Sequence, residues 1–278
     1  MTLHVYEELQ QGTEEWLAVR RGIVTASVVG KLLTIGAPGP LHYDCPVCFS
    51  SAGEACISLT RKATTAIKTP HNERAAVAAA RAKEAPPVVS VADNDTSHAL
   101  TATLVAERIA GFTEDVFVNA DMFRGVESEP IARDLYARHH APVEQVGFMR
   151  LDEDWGALGY SPDGLVGVDG LIEVKAPRAK THILTVIAGD VPTYNYAQLQ
   201  AGLLVSGRKW VDFIPYVGGL PLWKTRVHPD PAWHDAITAA VTQFEKTAAD
   251  MCAAYTQATA ALPITERIDF NTVELKLA

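Results

Sequence analysis

The stretch Gly159-Tyr160-Ser161-Pro162-Asp163-Gly164, followed after a tight turn by Gly170-Leu171-Ile172-Glu173-Val174-Lys175, constrains this chain more than any other. Two short runs of β-forming residues, Leu165-Val166 and Leu171 to Val174, flank Gly167-Val168-Asp169-Gly170, so the spacing predicts a hairpin. Side chains alternate along a strand, which sets Glu173 and Lys175 on one face. An otherwise apolar strand that gives two same-face positions to an acid and a lysine, with Asp163 at the mouth of its partner strand, breaks the hydrophobic pattern in one place. Two carboxylates there suit Mg²⁺ (or Mn²⁺), which accepts one or two protein carboxylates and completes its shell with water and phosphate oxygens. An ammonium beside them favours the deprotonated form of an attacking water and orients it. The set fits phosphodiester hydrolysis, a reaction whose barrier asks on the order of 20 kcal/mol of help. A surface hairpin with a cross-strand ion pair satisfies the same pattern without chemistry.

With 278 residues, 48% of them hydrophobic and 21% charged, the chain has the size and composition of a globular protein of one large domain or one domain plus an insertion. No apolar run approaches bilayer length, and Met1 to Glu8 has neither a basic start nor an apolar signal core. The expectation is a cytosolic protein without membrane contact, in the host cytoplasm if phage-encoded. A formal charge of −9 excludes a globally basic nucleic-acid coater, so DNA contact has to come from a local positive groove or through metal ions.

Along the chain, Thr13 is an N-cap and Gly22 a stop for a first helix, and a second starts near Thr25-Ala26-Ser27 and runs to Leu33. From Thr34 to Ser97 the composition turns to Gly, Pro, Ala and Thr. That divides the chain into a discontinuous core (1–34 and 98–278), an insertion (41–84) and a linker (85–97). Helices are expected over 98–110, 125–139 with Pro130 in its first turn, 193–206, and from Asp230-Pro231 to Met251, with strands near 143–151, 210–217 and 222–227. The fold class is α/β, a small mixed sheet flanked by helices. Glu129, read as lying at a helix start, is either a dipole-favoured first-turn acid or a site residue. Gln198, sharing a helical face with Tyr194, is either a ligand to water and phosphate or part of a solvated face.

Three of four cysteines fall between Cys45 and Cys56. Cys45-Pro46-Val47-Cys48, Cys56 and His71 offer three thiolates and an imidazole, a donor set suited to tetrahedral Zn²⁺. Three unrelated cysteines, or an iron–sulfur cluster completed by Cys252, are the other readings. Arg61, Lys62, Lys68, Arg74, Arg81 and Lys83 surround these ligands and suggest either a DNA-facing arm or a solvated basic helix.

The series Gly12-Thr13-x-x-Trp16, Arg20-Arg21-Gly22-Ile23-Val24-Thr25-Ala26-Ser27, Glu129-Pro130-x-Ala132-Arg133, Ser161-Pro162-Asp163-Gly164, Glu173-Val174-Lys175-x-Pro177, Gln198 and Gly207-Arg208-x-Trp210-x-Asp212-Phe213 resembles the YqaJ/lambda-exonuclease branch of the PD-(D/E)xK nucleases. The resemblance runs from Gly12 to Tyr216 apart from the insertion, which itself resembles small zinc modules of actinobacterial and phage proteins. It implies a restriction-endonuclease-like core and a Mg²⁺-dependent 5′→3′ exonuclease on linear double-stranded DNA, forming a homotrimeric ring and working with a single-strand annealing protein in recombination. Carried over by position, Asp163, Glu173, the Val174 carbonyl and Glu129 hold the metal and Lys175 acts on the water. Arg20 or Arg21, Ser27, Ser161 and Arg178 hold the 5′-phosphate, with Gln198 beside them. An endonuclease of the same superfamily and a catalytically idle zinc-containing DNA-binding protein are the alternatives, and the intact Asp163, Glu173 and Lys175 count against the second.

Overall fold

The computed structural model describes residues 2–59, 65–114 and 119–267. The chain opens with strand β1 (Thr2–Tyr6) and helix α1 (Glu14–Arg20), where Thr13 caps as expected by accepting from the Trp16 amide. Gly22 follows in the left-handed region at φ 67°, a backbone that glycine adopts without strain. A Cβ there would also collide with Arg108 Cγ at 2.4 Å. The close approach lets the Gly22 amide donate to Glu107 Oε2 at 2.7 Å, while Arg108 Nε donates to its carbonyl at 2.6 Å. Strand β2 (Val24–Thr25) and helix α2 (Ala26–Val29) come next, and a 3₁₀ turn at Gly30–Leu32 ends the helix short of Leu33.

Strand β3 (Leu33–Gly36) leads out to helix α3 (Asn72–Arg81), and β4 (Val88–Val91) leads back. The two strands pair antiparallel from Leu33↔Val91 to Gly36↔Val88, so part of the segment expected as linker is a strand closing the stem of the insertion. Helix α4 (Asp95–Ala110) starts three residues earlier than its apolar stripe suggested, because Asn94 and Ser97 form a reciprocal capping box.

Helix α5 (Ala120–His139) corrects the sequence reading. Asn119 accepts from the amides of Asp121 and Met122, so the helix begins before Gly125, and Glu129 and Pro130 lie in its interior rather than its first turn. Pro130 offers no N–H to the Val126 carbonyl. Glu129 is therefore not a dipole-capping residue. Strands β5 (Phe148–Glu153), β6 (Gly156–Tyr160), β7 (Gly164–Val166) and β8 (Gly170–Lys175) follow, the last two forming the expected hairpin. Helices α6 (Ala179–Ala188) and α7 (Thr193–Ser206), strands β9 (Trp210–Pro215) and β10 (Thr225–Val227), and the long helix α8 (Pro231–Thr259) complete the fold.

The expected sheet is divided in two: β1-β5-β6-β2 and β10-β9-β8-β7, each mixed through one parallel pair. Helix α7 packs against β5, β6 and β9 and so joins the sheets. Its Leu199, Ala201, Leu203 and Val205 are almost wholly buried, along with Leu158, Leu171, Phe213, Ile237 and Val241 around it. Each such large aliphatic or aromatic side chain contributes about 1.5–3 kcal/mol on burial. A second cluster seats α5 on the other face of β8, through Ala132 and Tyr136 against Ile172, Val174 and Ile214. The Tyr136 hydroxyl donates to the buried Asp212 carboxylate at 2.7 Å, which Arg226 and Lys224 also hold. That anchor fixes α5, and with it Glu129 and Arg133, relative to the catalytic-looking strand. Among the described residues no helix is long and apolar enough to cross a membrane.

Candidate active site

Alternation along β8 does what the sequence asked. Glu173 and Lys175 share a face, with Lys175 Nζ 2.7 Å from Glu173 Oε1, and the Glu173 side chain is only 1% exposed. Tyr160 Oη at 3.1 Å and Gln198 Nε2 at 2.5 Å also donate to the Glu173 carboxylate. Asp163 lies just before β7, where its Oδ2 accepts the Val174 amide at 2.6 Å in place of a ladder partner. Arg133 Nη1 bridges the two elements by donating to Glu129 Oε1 at 2.9 Å and to the Asp163 carbonyl at 2.7 Å.

Glu129, Asp163, Glu173, Val174, Lys175 and Gln198 line one cleft of about 630 Å³. Arg20, Ser27 and Ser161 line it too. The Arg20 guanidinium lies 3.8 Å from the Trp16 ring centroid and reaches Thr25 Oγ1 at 3.4 Å. Thr25 Oγ1 is 3.1 Å from Ser27 Oγ, and Trp16 Nε1 donates to Ser161 Oγ at 3.0 Å. Arg21 instead pairs with Glu14 at 2.8 Å, so of the two arginines Arg20 is the one in the cleft. Arg178 stands apart: it precedes α6 as its N-cap, 3.4 Å from Asp121 at the rim.

Sequence reasoning missed Tyr160, whose only signal was a tyrosine in an apolar strand directly before Ser161. It also missed Gly202, which lets α7 approach closely enough to hold that ring. A Cβ there would come within 2.8 Å of Tyr160 Cζ.

The cleft carries an excess of negative charge. Lys175 answers Glu173 and Arg133 answers Glu129, which leaves Asp163 without a cation of its own. Burial, then the charges of Glu173 and Glu129, push the Asp163 carboxyl well above the usual carboxylate range, against the pull of Lys175 and the Val174 amide. Burial would lower Lys175, but the charges of Glu173 and Asp163 outweigh it and carry its pKa up, so it stays an ammonium. A half-buried, oxygen-only donor set one positive charge short of balance fits a hard divalent cation.

The inserted cysteines also come together. The ligand atoms of Cys45, Cys48, Cys56 and His71 all lie within 4.8 Å of one another, and Cys252 is far along the chain on α8, outside the group. Burial opposes ionisation of Cys48, yet hydrogen bonds from the Ser50 hydroxyl and from the Ser50 and Ile57 amides bring its thiol down to about 5. Three sulfurs and one imidazole, with a thiolate formed at neutral pH, fit Zn²⁺. Arg74 is a correction to the expected DNA-facing arm. It is fully buried and donates to the carbonyls of Pro40, Tyr43, Ser51 and Glu54 and to Cys56 Sγ, pinning the knuckle. Lys68, Arg81 and Lys83 are exposed, while Arg61 and Lys62 lie outside the described residues.

Residues 74–209 match the family described as "YqaJ-like viral recombinase domain". That stretch is similar to a YqaJ-like domain. All the catalytic candidates of the cleft fall within its bounds, and residues 11–89 match a second family, "Putative DNA-binding phage zinc finger domain". A crystal structure of an alkaline exonuclease (LHK-Exo) from Laribacter hongkongensis is similar at 28% identity over 90% of this chain and 100% of that one, with a TM-score of 0.63. The same exonuclease in complex with dAMP gives 28% identity over the same shares and a TM-score of 0.61. No curated protein sequence matches the chain. The YqaJ-like stretch thus lies in a mixed α/β fold like that of the alkaline exonuclease, with a Cys₃His cluster inserted.

Proposed function

We propose that the chain is a Mg²⁺-dependent 5′→3′ exonuclease that hydrolyses linear double-stranded DNA and leaves 3′ single-stranded tails for phage-type recombination. One observation carries this reading: Asp163, Glu173 and Lys175 meet in a single cleft in which Glu173 and Glu129 have cation partners and Asp163 has none of its own. The alkaline exonuclease likeness over nine-tenths of the chain supports it, as does the complex of that enzyme with dAMP, a mononucleotide.

Asp163, Glu173, Glu129 and the Val174 carbonyl would hold the Mg²⁺ or Mn²⁺ ion. Bound there, it would screen the scissile phosphate and ease deprotonation of the nucleophile. Lys175, fixed as an ammonium by Glu173, orients the attacking water and meets negative charge as it develops on the phosphoryl oxygens. Gln198 and Tyr160 hold the Glu173 carboxylate in place from two sides. Arg20 receives the 5′-phosphate with the hydroxyls of Ser27 and Ser161, its guanidinium held over the Trp16 ring, and Arg178 adds charge from the rim. The zinc module contributes sequence-independent phosphate contacts through Lys68, Arg81 and Lys83. The family resemblance adds a homotrimeric ring around the duplex and a single-strand annealing protein as partner.

The test compares a 5′-phosphorylated linear duplex with a closed circle, each with Mg²⁺ and with EDTA. Chelator-sensitive release of mononucleotides from the linear duplex alone is expected. Cutting of the circle makes the chain an endonuclease, and binding without cleavage makes it an idle DNA-binding protein.

A further inference from the structure

Phe49 follows the Cys45-x-x-Cys48 turn and is the only non-glycine among the described residues with positive φ, at 59°. Glycine adopts that left-handed backbone freely, whereas a phenylalanine there carries steric strain. The knuckle allows no escape. The Phe49 amide donates to the Cys45 carbonyl at 2.9 Å, the Cys45 amide donates to the Ser50 carbonyl at 2.9 Å, and Cys48 Sγ contacts Ser50 Oγ at 3.3 Å. Cys48 and Ser50 on either side are buried, yet Phe49 is 83% exposed. A residue unfavourable for the fold twice over, by strained backbone and by an apolar ring left in water, points to a role outside the fold.

The surroundings say what the ring meets. Lys68, Arg81 and Lys83 of the module are exposed, its Asp44 and Glu54 carboxylates are turned to the Ala52 and Ser51 amides, and residues 11–89 match a zinc finger family described as DNA-binding. A flat π-surface on a module of that family, with exposed lysine and arginine side chains on the same module, is complementary to a polyanion with open π-faces. Bases offer those faces in single strands and hide them in a duplex stack. We propose that Phe49 is a base-stacking contact for single-stranded DNA, displayed by the zinc knuckle. The inference deepens the nuclease reading, because the retained strand of a resected end is such a ligand, but the binding itself requires no cleavage.

Binding of the zinc-loaded full chain to labelled oligothymidylate and to a hairpin duplex of equal length, measured over a salt series without added magnesium, tests it. Phe49→Ala and Phe49→Gly should weaken oligothymidylate binding by about 5- to 100-fold, the range of one lost base–aromatic stack. The slope of log K against log salt should not change, since no phosphate contact is removed. Phe49→Trp should bind as the native chain does, the duplex should be unaffected, and bound zinc should stay at the native level. The glycine variant should melt no lower than the native chain, its backbone strain being relieved. Native oligothymidylate affinity in Phe49→Gly, equal loss on duplex and single strand, or loss that tracks lost zinc in both small variants overturns the assignment. A chain that never cuts DNA leaves these outcomes readable, so failure of the nuclease reading is seen separately.

Discussion

Replacing Asp163 by Asn probes the charge imbalance of the cleft. Asparagine keeps the shape, and its carbonyl oxygen can go on accepting the Val174 amide that Asp163 Oδ2 accepts at 2.6 Å. What disappears is the one carboxylate charge that neither Lys175 nor Arg133 answers. An uncompensated buried charge costs about 3–5 kcal/mol. Without divalent ions and at alkaline pH, where the native carboxyl is ionised, Asp163→Asn is therefore expected to gain about 3 kcal/mol, or roughly 6–12 °C in melting temperature at about 2–4 °C per kcal/mol. The pH dependence has a definite sign. The folded Asp163 carboxyl is raised, first by burial and then by Glu173 and Glu129, whereas unfolded it titrates near about 3.9. Its contribution to stability is complete below the unfolded value and is lost as pH rises through the raised folded value. The ion-free native chain therefore loses stability toward alkaline pH through this group, and the amide variant does not. Excess Ca²⁺, a hard cation, should raise the native melting temperature most at high pH and leave the variant nearly unmoved. Scanning fluorimetry across pH with and without Ca²⁺ reads both effects. A variant that melts below the native chain without ions at alkaline pH, or that gains as much from Ca²⁺, refutes the reasoning.

Lys175→Ala should leave DNA binding nearly intact while slowing cleavage by about 10²–10³-fold, as for one lost donor to developing negative charge; single-turnover digestion measures it, and a near-native rate contradicts the role. Tyr160→Phe removes one donor from Glu173 and should weaken Mn²⁺ binding by about 10-fold, the low end for groups behind a metal ligand; calorimetry with the native chain as reference checks it. In the insertion, Cys48→Ser should lose zinc outright. Arg74→Ala leaves four carbonyls short of a donor at about 1 kcal/mol each and should speed zinc transfer to a chromophoric chelator, while the main melting transition holds.

Much of the site was legible because its chemistry sits in short local patterns. The period-two alternation of β8 was enough to put Glu173 beside Lys175, and the Cys45-x-x-Cys48 spacing was enough to suggest a metal knuckle that Cys56 and His71 complete. The errors came where long-range partners decide. Glu129 was read as a helix-start acid because Pro130 usually marks a first turn, whereas Asn119 caps the helix earlier and Tyr136 anchors it to Asp212. Arg74 counted as a surface charge because no periodicity in α3 reveals that four carbonyls and a thiol converge on it. The split into two sheets was invisible for a similar reason. β1 is an exposed edge strand without a buried stripe, identified only by its antiparallel partner β5.

The placement of the insertion follows from the same long-range logic. Ser27 on α2 lines the cleft, and only Val28–Leu32 separate it from β3, where the chain leaves for the zinc module. The return strand β4 pairs with β3, the Ala92 amide donates to the Leu32 carbonyl at 2.8 Å, and α8 packs against both strands. A ladder braced by a helix leaves little of the rotational freedom that a polar linker would give. The zinc module thus leaves the core from the segment that carries a proposed phosphate ligand, through a stem that is itself fixed on the core. Lengthening the stem by inserting residues after Gly36 and before Val88 should leave zinc content and end cleavage in place, yet separate the two sites. If Phe49 and the cleft engage one DNA molecule together, affinity for a partly resected end should fall toward that of the stronger site alone. Unchanged affinity for that substrate would show that the module and the cleft act on DNA independently.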